Sequence, residues 1–253
     1  MKRYKALILD LDGTTIASRG GSLPSQPVEQ AVKAALPLVK VAVATGRSWH
    51  LAESVIRQLG ITEPCILEGG SRIILPATGQ IIFSKTLPLA KRLEVVTACL
   101  PLGYRLFVTL NDETVYVKRA EDVDGPVGKI ELEAVPRIEA PGVIEKLSAI
   151  KGVAIHIASS WSPGDFVAIH ITSPEGTKEH ALAELLKFMN VAPEDAIGVG
   201  DNPNDLPLFN SVGLKVAMGN SPDELKAVAD YVAPDLEHDG VADVIQKFIL
   251  ARR

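Results

Sequence analysis

The chain has few cysteines, no basic run and no long apolar stretch, and each shortage removes a class of protein. Two cysteines, Cys65 and Cys99, stand among 253 residues. They have neither the spacing of a metal site nor the number for a disulfide framework. Both therefore read as small apolar fillers of a core. Lys and Arg number 26 against 31 Asp and Glu, a formal net charge of −5. Without a basic patch, nucleic acid is not an expected partner. No stretch reaches the roughly 18 apolar residues of a membrane span. The opening MKRYKALILD runs into an acid after four apolar residues, which is not the pattern of a signal peptide. A reduced, cytoplasmic setting is the expectation that follows. What the chain does have is apolar side chains, 47% of the total. That is enough for a full core, arranged as one large domain or two small ones.

Short apolar runs alternate with helical patterns over the first 75 residues. KALILD (5–10), VKVAVAT (39–45) and PCILEGG (64–70) read as strands. Between them lie SQPVEQAVKAAL (25–36), with Pro27 near its start, and SWHLAESVIRQLG (48–60), with Leu51, Val55 and Leu59 on one face and Gly60 as its stop. This alternation predicts a parallel α/β core. It resumes near the C-terminus with a helix over 177–190 and the strands AIGVGD (196–201) and KVAMG (215–219). The middle differs. SRIILP and QIIFSK, around Gly79, read as a hairpin, as do RLFVTL and ETVYVK around Asn111 and Asp112. VAIHI occurs at 153–157 and again at 167–171, separated by ASSWSPGDF. Helical segments at 88–100 and 141–150 precede these strand pairs. The expectation is an α+β insertion of αββ units within the parallel core.

Two acids, Asp10 and Asp12, end the first apolar run. A buried strand should not end so, because desolvating a carboxylate is costly. Thr45, Gly46 and Arg47 end the second strand, Asp201 ends a later one with Asp205 close behind, and Lys178 lies near the start of the late helix. In open α/β sheets the carboxyl ends of strands line the ligand site. Convergence there would place four carboxylates together, at a cost of about 3 kcal/mol for a like pair about 5 Å apart at an effective dielectric of about 20. A cation is needed, and oxygen ligands without His or Cys suit Mg²⁺, which works with substrate phosphates. An EF-hand is excluded because Thr15 occupies the position that requires glycine, and GVGD lacks the rest of a dinucleotide fingerprint.

DLDGT (10–14), ATGR (44–47), Lys178 within GTKEHAL, and GDNPND (200–205), in that order, resemble the four motifs of the haloacid dehalogenase superfamily. The spacing resembles its Cof-like phosphatase branch, akin to sucrose-phosphate phosphatases. That resemblance implies a Rossmann-like core at 1–84 and 173–253 and an α+β cap at 85–172. It implies Asp10 as the nucleophile that forms an aspartyl phosphate, and Asp12 as general acid and base. Thr45 and Lys178 would contact phosphoryl oxygens. Mg²⁺ would be held by Asp10, the Asp12 backbone carbonyl and Asp201, with Asp205 bound through water or just behind. Gly46, Arg47 and Asn204 would lie at the substrate, and His156 and His170 are expected on the cleft face of the cap. Trp49 and Trp161 are the candidates for ring stacking, with Trp49 the better fit to a core. The Asn-Gly common in relatives after the third strand is replaced by Gly69-Gly70 behind Glu68. The expected protein is a Mg²⁺-dependent phosphatase of small phosphorylated metabolites, sugar phosphates among them, as a monomer or homodimer. Its rivals are a phosphomutase, which returns the phosphoryl group to substrate, and a catalytically silent binding domain. A D-x-D glycosyltransferase is more remote, since it does not account for Lys178 or GDNPND.

Overall fold

The computed structural model describes residues 2–17, 22–110 and 113–251. Five parallel strands form the central sheet: β1 (Ala6–Leu9), β2 (Lys40–Val43), β11 (Ala196–Gly200), β12 (Leu214–Ala217) and β13 (Tyr231–Val232), in the order β13-β12-β11-β1-β2. Both faces of this sheet are covered, which is why its strands read as continuous apolar runs. On β1, Leu7 and Leu9 pack with the helices α1 (Gln26–Ala35), α2 (Trp49–Leu59) and α8 (Gly240–Ile245). Ala6 and Ile8 point the other way, toward α5 (Lys178–Phe188) and the short α6 (Leu206–Phe209). A further short helix, α7 (Asp223–Lys226), follows β12.

Local chemistry sets the helix boundaries. Ser25 caps α1 by accepting from the Val28 N–H, with proline in the first turn. Gly60 ends α2 in the left-handed region at φ 71°. The buried face of α2 is Ala52, Val55, Ile56 and Leu59, so Leu51, expected on that face, instead stays half-exposed. Trp49 is partly buried against the core. Both cysteines are free and buried, and burial raises their thiol pKa values to about 12.

The third expected parallel strand has a different allegiance. β3 (Cys65–Leu67) meets β2's extension through a single parallel bridge, Ala44 to Ile66, and pairs fully with β4 (Arg72–Leu75) in an antiparallel sheet completed by β5 (Gln80–Ser84). Between β3 and β4 the chain turns through Glu68, Gly69 and Gly70, all at positive φ. At Gly70 (φ 114°) an added Cβ would lie 2.1 Å from the Thr177 carbonyl carbon, so only glycine lets this turn abut the start of α5.

A second sheet of five antiparallel strands holds the middle of the chain: β6 (Arg105–Leu110), β7 (Glu113–Tyr116), β8 (Val127–Pro136), β9 (Ala154–Ser159) and β10 (Phe166–Thr172), in the order β7-β6-β8-β10-β9. The residues joining β6 to β7, Asn111 and Asp112, lie outside those described. The VAIHI pair is antiparallel, with His156 opposite His170. Its valines and isoleucines pack toward α3 (Leu89–Cys99) and α4 (Ala140–Leu147). The sequence reading passed over β8, the central strand. It alternates Lys129, Glu131 and Glu133 on one face with Ile130 and Leu132 on the other, and both faces are buried. No helix among the described residues is long and apolar enough to cross a membrane.

Replacing Gly70 by alanine is expected to lower stability by roughly 2–3 kcal/mol, through left-handed strain and the clash with Thr177. Thermal unfolding should show a midpoint lower by about 5–10 °C. An unchanged midpoint would mean that the α5 start does not depend on this contact.

Candidate active site

Asp10 follows β1 directly, and its N–H donates to the Val199 carbonyl of β11, 3.0 Å away. Beyond it the chain turns sharply, with the Thr14, Thr15 and Ile16 N–H groups all donating to the Leu11 carbonyl. Gly13 sits in this turn at φ 84°, and a Cβ there would be 2.2 Å from Asp201 Oδ2. The turn thus lets Asp201, at the end of β11, come alongside. Thr14 Oγ1 donates to Asp201 Oδ1 at 2.8 Å, and Thr15 Oγ1 to the Asp10 carbonyl at 2.6 Å. Thr14 lies inside the DLDGT motif, yet its grip on Asp201 required the folded turn to become visible.

Lys178 opens α5 behind its cap, Thr177. Its Nζ donates to Asp10 Oδ1 at 2.8 Å and to Asp205 Oδ1 at 2.7 Å. All three side chains are buried. Asp205 Oδ2 in turn accepts the Asp201 and Asn202 N–H groups at 3.1 and 3.2 Å. Asp205 is therefore a brace for the loop and the lysine. Burial raises the Asp10 pKa well above the ordinary carboxylate range, with Asp205 and Asp201 adding to the effect and Lys178 opposing it. Burial, followed by Asp205, brings Asp201 up to about 7. Burial alone would lower the Lys178 pKa, but the two carboxylates it touches raise it, so it stays charged.

Asp12 takes a different partner. The Arg47 guanidinium donates to both of its carboxylate oxygens, Nε at 2.9 Å and Nη2 at 2.6 Å. The Asp12 side chain is thus turned toward the ATGR loop. Thr45 is fully buried, and its Oγ1 accepts the Arg47 N–H at 3.2 Å. Gly46 lies beside His170, whose Cε1 would be 3.2 Å from a Cβ at that position. Asp10, Asp12, Gly46, Arg47, His170 and Asn204 all border one cleft of about 630 Å³, and Asn204 Oδ1 is buried there without a partner among the described residues. His156 does not border it. Burial, and then the nearby Lys178 charge, lower its pKa, and its Nε2 is buried without a partner among the described residues.

The far wall of the cleft comes from the second sheet, and most of it was unread in the sequence. Lys129 Nζ donates to the Gly46 carbonyl at 3.0 Å and pairs with Glu131. Glu131 also pairs with His170 Nε2 at 3.1 Å and accepts from Trp161 Nε1 at 2.9 Å. Burial pulls the Glu131 pKa up, and Lys129 with His170 pull it down further, well below the usual range. Burial, reinforced by Lys129, lowers that of His170 despite Glu131. The alternation KIELE was the available signal for this wall.

Asp10, Asp201 and Asp205 each offer an oxygen within 4.8 Å of the others, and all three are buried. Three carboxylates against one ammonium leave an uncompensated negative charge. Asp10 Oδ2 and Asp201 Oδ2 have no hydrogen-bond partner among the described residues. An oxygen-only donor set of this charge fits Mg²⁺.

A buried carboxylate–lysine centre thus sits at the carboxyl edge of a parallel sheet, where open α/β folds bind ligands, with the second sheet forming the far wall of the cleft. The model of the haloacid dehalogenase-like hydrolases matches residues 7–245, and the chain belongs to that family. A phosphoglycolate phosphatase of Archaeoglobus fulgidus is 24% identical over 257 residues, covering all of both chains. One of Methanothermobacter thermautotrophicus is 38% identical over 82 residues, only 32% of this chain and 37% of that relative. A solved haloacid dehalogenase-like hydrolase from B. subtilis superposes with a TM-score of 0.83 at 20% identity, over 97% of this chain and 100% of that one.

The raised acid pKa values carry a sign for stability. An unfolded Asp titrates near 3.8, whereas folded Asp201 does so near 7. Between those values the folded state holds a proton that the unfolded state has lost, so stability falls as pH rises. In chelator, the unfolding free energy of wild type minus that of Asp201→Asn should fall between pH 5 and 7.5 by up to about 3 kcal/mol. The difference cancels His156 and His170, whose lowered pKa values make stability rise with pH over part of that interval. A difference that stays flat or rises would remove the case for a strained acidic centre.

Proposed function

We propose that this hydrolase is a Mg²⁺-dependent phosphatase of small phosphorylated metabolites, acting through an aspartyl phosphate on Asp10. The observation that carries the reading is Lys178 held between Asp10 and Asp205, with Asp201 alongside, at the strand ends. Residues 85–172 are proposed as the cap and the remainder as the core. The phosphoglycolate phosphatases among the relatives support the reaction class and supply one assay substrate.

In this reading Lys178 occupies Asp10 Oδ1, which leaves Oδ2 to attack phosphorus and displace the alcohol. Lys178 also fixes the carboxylate's rotation and offsets charge as the anionic phosphate approaches. Asp10 and Asp201, with the Asp12 carbonyl, would hold Mg²⁺, which when bound offsets the repulsion between carboxylate and phosphate. Thr45 would donate its hydroxyl to a phosphoryl oxygen. Gly46 has no side chain to obstruct approach to its backbone.

Asp12 would protonate the leaving alcohol and then take a proton from the water that hydrolyses the aspartyl phosphate. Both of its oxygens are engaged by Arg47, so it must first be released. A phosphate dianion offers Arg47 an alternative partner of the same geometry. Substrate arrival thereby frees Asp12 at the moment it is needed.

Purified protein with Mg²⁺ should release free phosphate from p-nitrophenyl phosphate and from metabolite monoesters, phosphoglycolate included. Asp10→Asn should lower kcat by at least about 10³-fold, of the order seen when such groups are removed, and chelator should abolish turnover. Turnover that survives chelator or Asp10→Asn would overturn the mechanism, and transfer to substrate without free phosphate would favour the mutase.

A further inference from the structure

The chain is poor in aromatic residues, with Phe 6, Tyr 4 and Trp 2, yet three of these rings gather on one strip of the second sheet. The Phe107 ring centroid lies 5.3 Å from Tyr116 and 5.0 Å from Trp161. Phe107 and Trp161 border the cleft that contains Asp10 and Asp12. Trp161 is 50% exposed, so the core gains little from it.

That half-exposed indole is nevertheless held twice. Glu131 Oε1 accepts its Nε1 at 2.9 Å. Its two neighbours are held by Glu133 Oε1, which accepts Ser160 Oγ at 2.6 Å and both the Ser162 N–H and Oγ at 3.0 Å. Arg105 adds a hydrogen bond to Ser162 Oγ. Glu131 and Glu133 are buried, two residues apart on one face of β8, and Glu131 is itself held by Lys129 and His170. One buried carboxylate thus fixes the solvent-facing ring, and a second fixes the residues on either side of it. Burying acids is costly, and what this arrangement yields is a flat apolar surface preorganised toward the cleft.

The charges around this surface narrow what can lie on it. Among the described residues, the lysine and arginine that border the cleft are Lys129 and Arg47, and each is already paired, with Glu131 and Asp12 respectively. Arg47 belongs to the phosphoryl end. The cleft wall also carries the hydroxyls of Thr114 and Ser159, and that of Ser159, which accepts from Asn202, keeps its own proton to donate. Among the described residues, a carboxylate-bearing leaving group would meet no unpaired lysine or arginine there. A ring with hydroxyls would meet an aromatic face and neutral partners.

We propose that Trp161, backed by Phe107, is a specificity-determining shelf that selects phosphate esters whose leaving group is an uncharged ring stacked on the indole, over esters of acyclic, carboxylate-bearing alcohols. This rests on the phosphatase reading above and departs from the substrate in the relatives' names.

The test compares wild type, Trp161→Phe and Trp161→Ala on pyranose and furanose monophosphates, phosphoglycolate and glycerol 3-phosphate. Wild type should favour its best ring ester over both acyclic esters at least about tenfold in kcat/KM, the scale of one stacking interaction. Trp161→Ala should lower that ratio about tenfold, mainly through KM, while Trp161→Phe keeps most of it and both variants keep the wild-type melting temperature. Preference for phosphoglycolate, or an unchanged ratio in Trp161→Ala, overturns the proposal. A second readout does not need turnover. The chain has only Trp49 and Trp161, so fluorescence of Asp10→Asn minus that of Asp10→Asn/Trp161→Phe isolates Trp161. Glucose 6-phosphate or ribose 5-phosphate with Mg²⁺ should shift it, and phosphoglycolate should not. A shift without hydrolysis of any ester would sink the phosphatase reading and keep the shelf; no shift would sink the shelf.

Discussion

Three carboxylates reach the interior of this protein around one ammonium group. Asp10 arrives from the end of β1, Asp201 from the end of β11, and Asp205 from the turn that follows. None is tolerable there alone, because desolvation disfavours the ionised form and each acid repels the next. Lys178 touches Asp10 and Asp205, backbone N–H groups donate to the other oxygen of Asp205, and the Thr14 hydroxyl donates to Asp201. The compensation is incomplete by charge, and the proposed function sets a divalent cation against that shortfall. The rest of the architecture delivers these groups: a parallel sheet that aligns strand ends, a glycine turn that admits Asp201, and a second glycine turn that lets α5 begin close to the centre.

The second sheet handles charge in another manner. Lys129, Glu131 and His170 form a nearly closed set, with Lys129 reaching across to the Gly46 carbonyl. Asn202 Nδ2 donates to Ser159 Oγ at 2.5 Å, a second link between the two units. These contacts are few and polar, so the units touch around the cleft without sharing an apolar core. Each unit has its own buried cluster. A boundary of this kind is compatible with relative motion, whereas the acidic centre below it is rigidly braced. The division suits an enzyme that must admit and enclose its substrate while the acidic centre stays in place.

How much of this was legible beforehand depends on the range of the interaction. The parallel strands announced themselves because both faces of each are buried and the runs are continuously apolar. The helix start marked by Pro27 and the helix stop at Gly60 are local backbone chemistry, and they were read correctly. β3 misled, since its short apolar run has no marker for parallel or antiparallel pairing. β8 went unread because Lys129, Glu131 and Glu133 resemble a solvated face until the sheet and the cleft bury them. Leu51 fitted a helical stripe but faces the cleft instead, where the helix diverges from the core.

The amino-acid sequence by itself determined which residue types stand at the ends of which strands, and so the membership of the acidic centre and its lysine. Periodicity and motif order carry that information, because strand ends in a parallel sheet converge by construction. Only the tertiary structure decided what each group touches: that Lys178 bridges Asp10 and Asp205, that Arg47 holds Asp12, that Glu131 holds Trp161 and that Glu133 holds Ser160 and Ser162. Those pairings join residues up to 168 positions apart. A choice of partner at such separation depends on the packing of whole sheets against one another, which no local pattern encodes.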